Sequence, residues 1–132
     1  MRLLLDSHTF LWFIGADPKL SDFARESILA HDNERLLSLA SLWEITIKAS
    51  LGKLKLHLPL TRLVEEHVEG NAIALLQIEP RHLDVLSSLP FHHRDPFDRL
   101  IVAQGLADGL PVVSKDKTLS RYGIERLWSR PS

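Results

Sequence analysis

In the stretch DPFDRLIVAQGLADGLPVVSKD, residues 95–116, a well-delimited helix leads directly into an apolar strand. Asp95 is a favourable N-cap, Pro96 suits the first helical position, and Asp98 falls in the first turn, where the helix dipole favours negative charge. Apolar residues then recur at helical spacing, Gly109 predicts the end of the helix, and the apolar run after it is typical of a buried strand. The stretch therefore predicts one helix–strand unit of an α/β fold.

The same alternation extends over the rest of the chain. Short apolar runs predict strands at 2–5, 35–38, 74–78, 110–113 and 124–127. Helical spacing and end signals predict further helices at 10–14, 21–30, 41–52, 61–68 and 80–86, and a capping box from Ser41 to Glu44 opens the third of these. Strands that alternate with helices indicate a parallel sheet covered on both faces. We therefore predict an α/β fold, a three-layer α/β/α sandwich around a mainly parallel sheet of four to five strands.

The composition fits one globular domain over residues 1–132. Hydrophobic residues make up 45% and charged residues 25% of the 132 residues, and no repeat or low-complexity tract interrupts them. Because the chain has no cysteine, disulfides, thiolate metal sites and cysteine catalysis are excluded. The apolar start before Asp6 is too short for a signal peptide or a membrane span. We expect a cytoplasmic protein with no membrane partner.

The charge is unevenly distributed along the chain. The net charge is −1, yet residues 81–132 contain 8 Lys and Arg against 6 Asp and Glu, whereas residues 1–80 contain 8 against 11. If a metal occupied four of the carboxylates, the remaining balance would be 16 basic against 13 acidic residues. This distribution allows a basic, RNA-binding surface around an acidic centre that holds a metal.

Four separated carboxylates are predicted to meet at one edge of the sheet. Asp6 and Asp116 each follow a predicted strand, and Glu44 and Asp98 each lie in the first turn of a predicted helix. In a parallel α/β sheet, strand carboxyl ends and the amino ends of the following helices share the edge where ligands bind. Taken singly, each carboxylate also fits a structural role. These roles are a helix N-cap for Asp6, a solvated loop charge for Asp116, a capping-box member for Glu44 and a partner of the helix dipole for Asp98. Their common edge favours a site.

Such a cluster has a defined chemistry. Four carboxylates at one edge repel one another unless a cation lies among them. All-oxygen ligands suit Mg²⁺ or Mn²⁺ better than zinc. A metal of this kind activates a bound water and stabilises charge during in-line phosphodiester displacement. The residues alone therefore predict metal-assisted hydrolysis of a nucleic-acid backbone, with RNA and DNA both open as substrates.

Several motifs follow one another along nearly the whole chain. They are LLDSH at 4–8 with LW at 11–12, SLWEI at 41–45 with Lys48 and GKL at 52–54, LP at 89–90, HHRDPFDR at 92–99 with AQ at 103–104, SKD at 114–116 and YG at 122–123. In this order they resemble the VapC-type PIN-domain toxins of type II toxin–antitoxin systems, and the stretch at 89–104 is the most specific of them. Ser7 departs from the family pattern, in which threonine is more frequent, but it keeps the hydroxyl.

The resemblance implies a PIN-like fold and a Mg²⁺- or Mn²⁺-dependent endoribonuclease. It implies that Asp6 and Asp98 coordinate the metal and that Glu44 and Asp116 complete the acidic, catalytic cluster. It also implies a homodimer that a cognate antitoxin holds inactive, with the antitoxin tail crossing the active-site groove. The RNA preference comes from this resemblance alone.

Further residues near the cluster are predicted to support it. By the resemblance, Ser7 or Ser114 hydrogen-bonds a carboxylate or a metal-bound water. For His92 and His93 we expect a structural or capping role, because the metal mechanism does not need an imidazole. Basic residues that flank the cluster are candidates for contacts with RNA phosphates, and these are Arg94, Arg99, Lys115 and Lys117.

Two other classes of function are set against this one. A non-catalytic PIN-fold protein-binding module predicts a broken acidic cluster, whereas all four carboxylates are present here. A phosphotransfer enzyme of the haloacid-dehalogenase type requires a second aspartate two residues after Asp6, and His8 occupies that position. A receiver domain requires an acidic pair at the end of the first strand, which Leu5 and Asp6 do not supply.

Overall fold

The fold is built on one wholly parallel five-stranded sheet, seen in a computed structural model that describes residues 1–130. The strand order is β3-β2-β1-β4-β5, so that β1 is central and the connections on its two sides run in opposite directions. The strands are β1 Arg2–Leu5, β2 Glu34–Ser38, β3 Ile73–Leu76, β4 Val112–Val113 and β5 Arg126–Leu127. Ligands of such sheets bind at the carboxyl ends of the strands, beside the point where the order reverses.

Helices connect the strands. They are α1 Ser7–Ile14, α2 Asp22–Leu29, α3 Leu39–Ser50, α4 Leu60–Leu63, α5 Pro80–Ser87 and α6 Pro96–Asp108. A π-helical turn, Val64–Val68, and a 3-10 turn, Glu69–Asn71, extend α4, and a 3-10 helix, Lys117–Tyr122, lies between β4 and β5. No helix within residues 1–130 is both long and apolar enough to cross a membrane.

The sheet separates two apolar cores. Leu3 and Leu5 belong to the cluster that α1, α2 and α3 cover, whereas Leu4 belongs to the cluster that α5 and α6 cover. All three leucines are fully buried, as expected for a strand with helices on both faces. The predicted three-layer α/β/α arrangement is therefore confirmed, with five strands.

The predicted start of α3 is wrong. Ser38, not Ser41, is the N-cap: its hydroxyl accepts a hydrogen bond from the Ala40 amide at 3.0 Å, and Glu44 becomes the sixth residue of the helix. The reason is that β2 runs straight into α3 without a loop. The Ser38 hydroxyl, fully buried, also donates to Oε1 of Gln104 in α6. This one side chain thus joins the amino end of α3 to the middle of α6.

The remaining differences concern element boundaries. Helix α1 begins at Ser7 rather than at 10, because the Asp6 carboxylate caps it by accepting the Thr9 amide at 2.8 Å. Strands β4 and β5 are each two residues long, shorter than predicted. Helix α6 begins and ends as predicted, with Asp95 as N-cap, Pro96 in the first turn and Gly109 in the left-handed conformation (φ 65°) at its end.

Candidate active site

Asp6 and Asp116 leave adjacent parallel strands at the same edge of the sheet. Leu5 pairs with Val113, and the Asp6 amide donates to the Val113 carbonyl at 3.3 Å. Asp6 then turns at once into α1 as its N-cap, while Asp116 lies three residues beyond β4 and caps the 3-10 helix through the Thr118 amide at 2.9 Å. These two predicted carboxylates therefore share one edge, as the topology requires.

Glu44 is buried beside them and is held at both carboxylate oxygens. The Ser7 hydroxyl donates to Oε1 at 2.7 Å, and the Lys48 ammonium donates to Oε2 at 2.5 Å. The hydrogen bond to Glu44 is the main reason that the pKa of Lys48 is raised. Ser7 thus takes the predicted role of a hydroxyl on a carboxylate. The role of Lys48 was not predicted, although the i, i+4 spacing from Glu44 is the signal that finds it.

Asp98 interacts electrostatically with other carboxylates of the group. Burial raises the pKa of its carboxyl to about 6, and the neighbouring carboxylates Asp95, Glu44 and Asp116 add to the rise, which His93 partly opposes. Three carboxylates within electrostatic reach of a partly buried fourth make its ionised form costly. A bound cation would lower the cost of ionising Asp98.

Asp116 is held by a histidine. Burial alone would raise the pKa of Asp116, but hydrogen bonds from His93 and Thr118 outweigh burial and lower it. Nε2 of His93 lies 2.6 Å from Asp116 Oδ2, and Nδ1 of the same ring lies 2.8 Å from the Tyr122 hydroxyl. His93 therefore has a structural role, as predicted, and the group that it contacts is the Asp116 carboxylate.

The donor set fits a hard divalent cation, but the side chains do not converge as ready-made ligands. Within residues 1–130, no three His, Cys, Asp or Glu side chains form a group that could hold a metal ion as they lie. Three of the four carboxylates instead accept hydrogen bonds from the protein, Asp6 from Thr9, Glu44 from Ser7 and Lys48, and Asp116 from His93 and Thr118. An ion would be held by Asp98 with Asp6, Glu44 and Asp116, and it would replace some of these contacts.

The predicted supporting residues divide into two groups. Ser114 is fully buried, and its hydroxyl accepts the Asp116 amide at 3.1 Å, so it shapes the loop that carries Asp116. Arg99 is also buried: its guanidinium donates to the carbonyl of Pro90 at 2.8 Å and lies 3.9 Å from the Phe91 ring. These contacts fix the loop before α6 and differ from the phosphate contact predicted for Arg99. The other predicted basic residues are exposed beside the site, and they are Arg94, Lys115 and Lys117.

The fold agrees with what comparison with known proteins finds. The PIN domain family matches residues 3–125, which is nearly the whole chain. The protein therefore belongs to the PIN-domain family.

Individual proteins are similar to this chain over most of its length. Ribonuclease VapC22 of Mycobacterium tuberculosis is 28% identical over 121 residues, which cover 91% of each chain. Among solved structures, the chain is similar to one from the VapBC2 complex of Rickettsia felis bound to a promoter DNA fragment, with a TM-score of 0.74, 15% identity, and 98% and 100% of the two chains covered. A chain of DNA-bound VapBC from Salmonella typhimurium matches with a TM-score of 0.68 at 19% identity, over 96% and 97% of the two chains. At these identities the structural matches establish the fold.

Proposed function

We propose that this protein is a divalent-metal-dependent endoribonuclease and the toxin of a VapC-type toxin–antitoxin pair. The observation that carries the proposal is Asp98, a partly buried carboxylate whose pKa is raised to about 6 by burial and by three neighbouring carboxylates at the ligand-binding edge of a PIN domain. The similarity to a ribonuclease over 91% of the chain supports RNA as the substrate class. The domain would comprise all 132 residues.

The four carboxylates would have different roles, because their surroundings differ. Asp98 and Asp6 would hold Mg²⁺ or Mn²⁺, with Glu44 and Asp116 completing the ligand set. When bound, such an ion supplies an activated water and stabilises the charge that develops on the phosphodiester. Ser7 and Lys48 would orient Glu44, because each donates a hydrogen bond to one of its carboxylate oxygens.

The proposed substrate contacts rest on exposed basic residues, and the proposed partner rests on the similar solved structures. Arg94, Lys115 and Lys117 would contact RNA phosphates on either side of the acidic edge. Because the similar solved structures are VapBC complexes, we propose a cognate antitoxin as the protein partner, a homodimer as the assembly, and the cytoplasm as the compartment.

The decisive experiment is RNA cleavage by purified, antitoxin-free protein. Mixed cellular RNA is incubated with Mg²⁺, with Mn²⁺ and with chelator, and the products are resolved on a gel. Asp98→Asn tests the central carboxylate, and Asp84→Asn, an identical change at an exposed position on α5, is the matched control. We expect discrete metal-dependent products from the wild type and from Asp84→Asn, and none from Asp98→Asn.

Two outcomes would overturn the proposal. Cleavage that persists with chelator would remove the metal from the mechanism. A folded wild-type protein that cuts nothing with either metal would instead favour the non-catalytic binding module.

A further inference from the structure

A histidine links the two chain segments that carry Asp98 and Asp116. His93 lies in the loop that leads into α6, the helix of Asp98, while Asp116 and Tyr122 lie in the segment that follows β4. His93 Nε2 is 2.6 Å from Asp116 Oδ2, and His93 Nδ1 is 2.8 Å from the Tyr122 hydroxyl. We call these three side chains the His93 bridge.

With a neutral His93 ring, the hydrogen bonds of the His93 bridge have one consistent direction. A carboxylate can only accept, so the proton lies on Nε2 of His93 and is donated to Asp116. Nδ1 then accepts, and the Tyr122 hydroxyl donates to it. A histidine held at both nitrogens has a fixed tautomer and a fixed ring orientation, and partners of this kind orient the ligands of metal sites.

Packing fixes the bridge further. The His93 side chain is 11% exposed, and its ring lies 5.5 Å from that of Tyr122 with the planes 11° apart. His92 contacts the same tyrosine ring edge-on, at 4.7 Å between ring centroids. Tyr122 therefore contacts two consecutive histidines, and only the second of them reaches a carboxylate.

We propose that His93 is a positioning residue, held by Tyr122, that orients the Asp116 carboxylate for binding a cation together with Asp98. This inference rests on the proposed function, since it assigns a role in that same acidic site. His93 touches no substrate or metal in this scheme and acts through Asp116 alone. Losing it would leave the Asp116 carboxylate held through Oδ1 by the Thr118 amide but without a partner at Oδ2, while the fold remained.

Direct measurement of Mn²⁺ binding tests the proposal without relying on activity. Free Mn²⁺ is counted by electron paramagnetic resonance in titrations of the wild type, His93→Ala, His93→Gln, Asp116→Asn and the double variant His93→Ala/Asp116→Asn. His93→Ala is expected to weaken Mn²⁺ binding about tenfold to a hundredfold. Gln places an amide N–H near the position of Nε2, so His93→Gln is expected to restore most of the affinity.

The controls separate positioning from simple loss of packing. His92→Ala removes an aromatic contact with Tyr122 from the same loop but leaves the bond to Asp116, and it is expected to keep wild-type Mn²⁺ affinity. In the Asp116→Asn background, His93→Ala is expected to have no further effect, because the side chain through which it acts is already changed. Equal losses in His93→Ala and His93→Gln, or additive losses in the double variant, would overturn the proposal.

The histidine tautomer gives a second readout that needs no metal. Long-range ¹⁵N–¹H spectra of the metal-free protein are expected to show the proton of His93 on Nε2. A proton on Nδ1 alone would exclude donation to Asp116 and so overturn the inference with the nuclease intact. A wild type that shows the expected tautomer but binds no Mn²⁺ would overturn the proposed function, and with it the purpose of the bridge.

Discussion

The two ends of helix α6 carry aspartates with opposite properties. Asp98, in the first turn, has its pKa raised to about 6 by burial and by neighbouring carboxylates. Asp108, the last residue of the helix, has its pKa lowered to about 2, chiefly by hydrogen bonds from Arg81 and His82. The helix dipole would favour the reverse order, since it stabilises negative charge at the amino end. Burial and neighbouring carboxylates therefore outweigh the dipole at the amino end, and hydrogen-bonding neighbours outweigh it at the carboxyl end.

The difference separates a carboxylate that basic side chains hold from one that, among the described residues, no basic side chain holds. Arg81 binds Asp108 with two N–H groups at 2.8 and 3.2 Å, and the fully buried His82 reaches it from Nε2 at 3.0 Å. His82 Nδ1 accepts the Glu79 amide at 2.9 Å, so that the proton available to Asp108 is on Nε2. At the other end of the helix, no basic side chain within residues 1–130 forms an ion pair with Asp98.

The largest expected effect is on catalysis. Asp98→Asn should reduce the rate of RNA cleavage by about a thousandfold or more, because it removes the charge that would hold the metal at the reacting phosphate. Asp108→Asn, the same change at the other end of the helix, should leave the rate within about twofold of wild type. Single-turnover cleavage rates measure both. A comparable loss in Asp108→Asn would mean that the two ends are not functionally distinct.

The next effect is on stability, at the carboxyl end of the helix. Asp108→Ala should lower the free energy of unfolding by about 1–3 kcal/mol, because it leaves the buried Nε2–H of His82 without an acceptor. Asp108→Asn retains one acceptor oxygen and should cost less. Urea denaturation at about pH 7.5, where both aspartates are ionised, gives both values. If the two variants were equally stable, the bond to His82 would not be the reason for the loss.

At the amino end the change in stability should have the opposite sign. The folded protein binds the Asp98 proton more tightly than the unfolded chain does, so ionisation of Asp98 costs stability as the pH rises from 3.8 to about 6. Asp98→Asn should therefore stabilise the metal-free protein by about 1–2 kcal/mol above about pH 6, after allowance for solvent screening. Below about pH 4 the gain should vanish. Denaturation with chelator across this range would contradict the argument if the gain were independent of pH.

The smallest effect concerns the neighbours of Asp98. Asp95→Asn keeps an N-cap of equal quality but removes the neighbouring negative charge that raises the pKa of Asp98 most. The pKa of Asp98 should therefore fall from about 6. Carbon-13 titration of the side-chain carboxyls measures the change. Asp84→Asn, on the exposed face of α5, serves as the control and should leave the pKa of Asp98 unaltered.

Elements whose signals are local were predictable from the sequence. Helix α6 has an N-cap, a proline and a terminal glycine at the required positions, and its observed bounds match the prediction. The common edge of Asp6 and Asp116 followed from the alternation of strands and helices, because such alternation predicts parallel strands, whose carboxyl ends lie together. The start of α3 was missed because Ser38 and Ser41 are both good caps, and only tertiary contact with Gln104 selects between them.

The interactions that hold the carboxylates were beyond prediction for the same reason. His93 and Asp116 are separated by 23 residues, and nothing in the sequence of either segment indicates that they meet. Arg99 resembles a phosphate contact in sequence, yet the loop carbonyls and Phe91 enclose it. A short, local pattern identifies which residues have the chemistry, whereas packing over long sequence separations decides what each one touches.

The Ser38 hydroxyl has a consequence for how the site holds its charge. It closes the first turn of α3 and binds Gln104 of α6, whose amide also donates to the Gln77 carbonyl at 3.2 Å. The helices that carry Glu44 and Asp98 are therefore fastened to each other and to the sheet. These contacts oppose relief of the repulsion between Glu44 and Asp98 by movement of the two helices apart. A cation that bound there would therefore meet carboxylates whose ordering cost folding has already met.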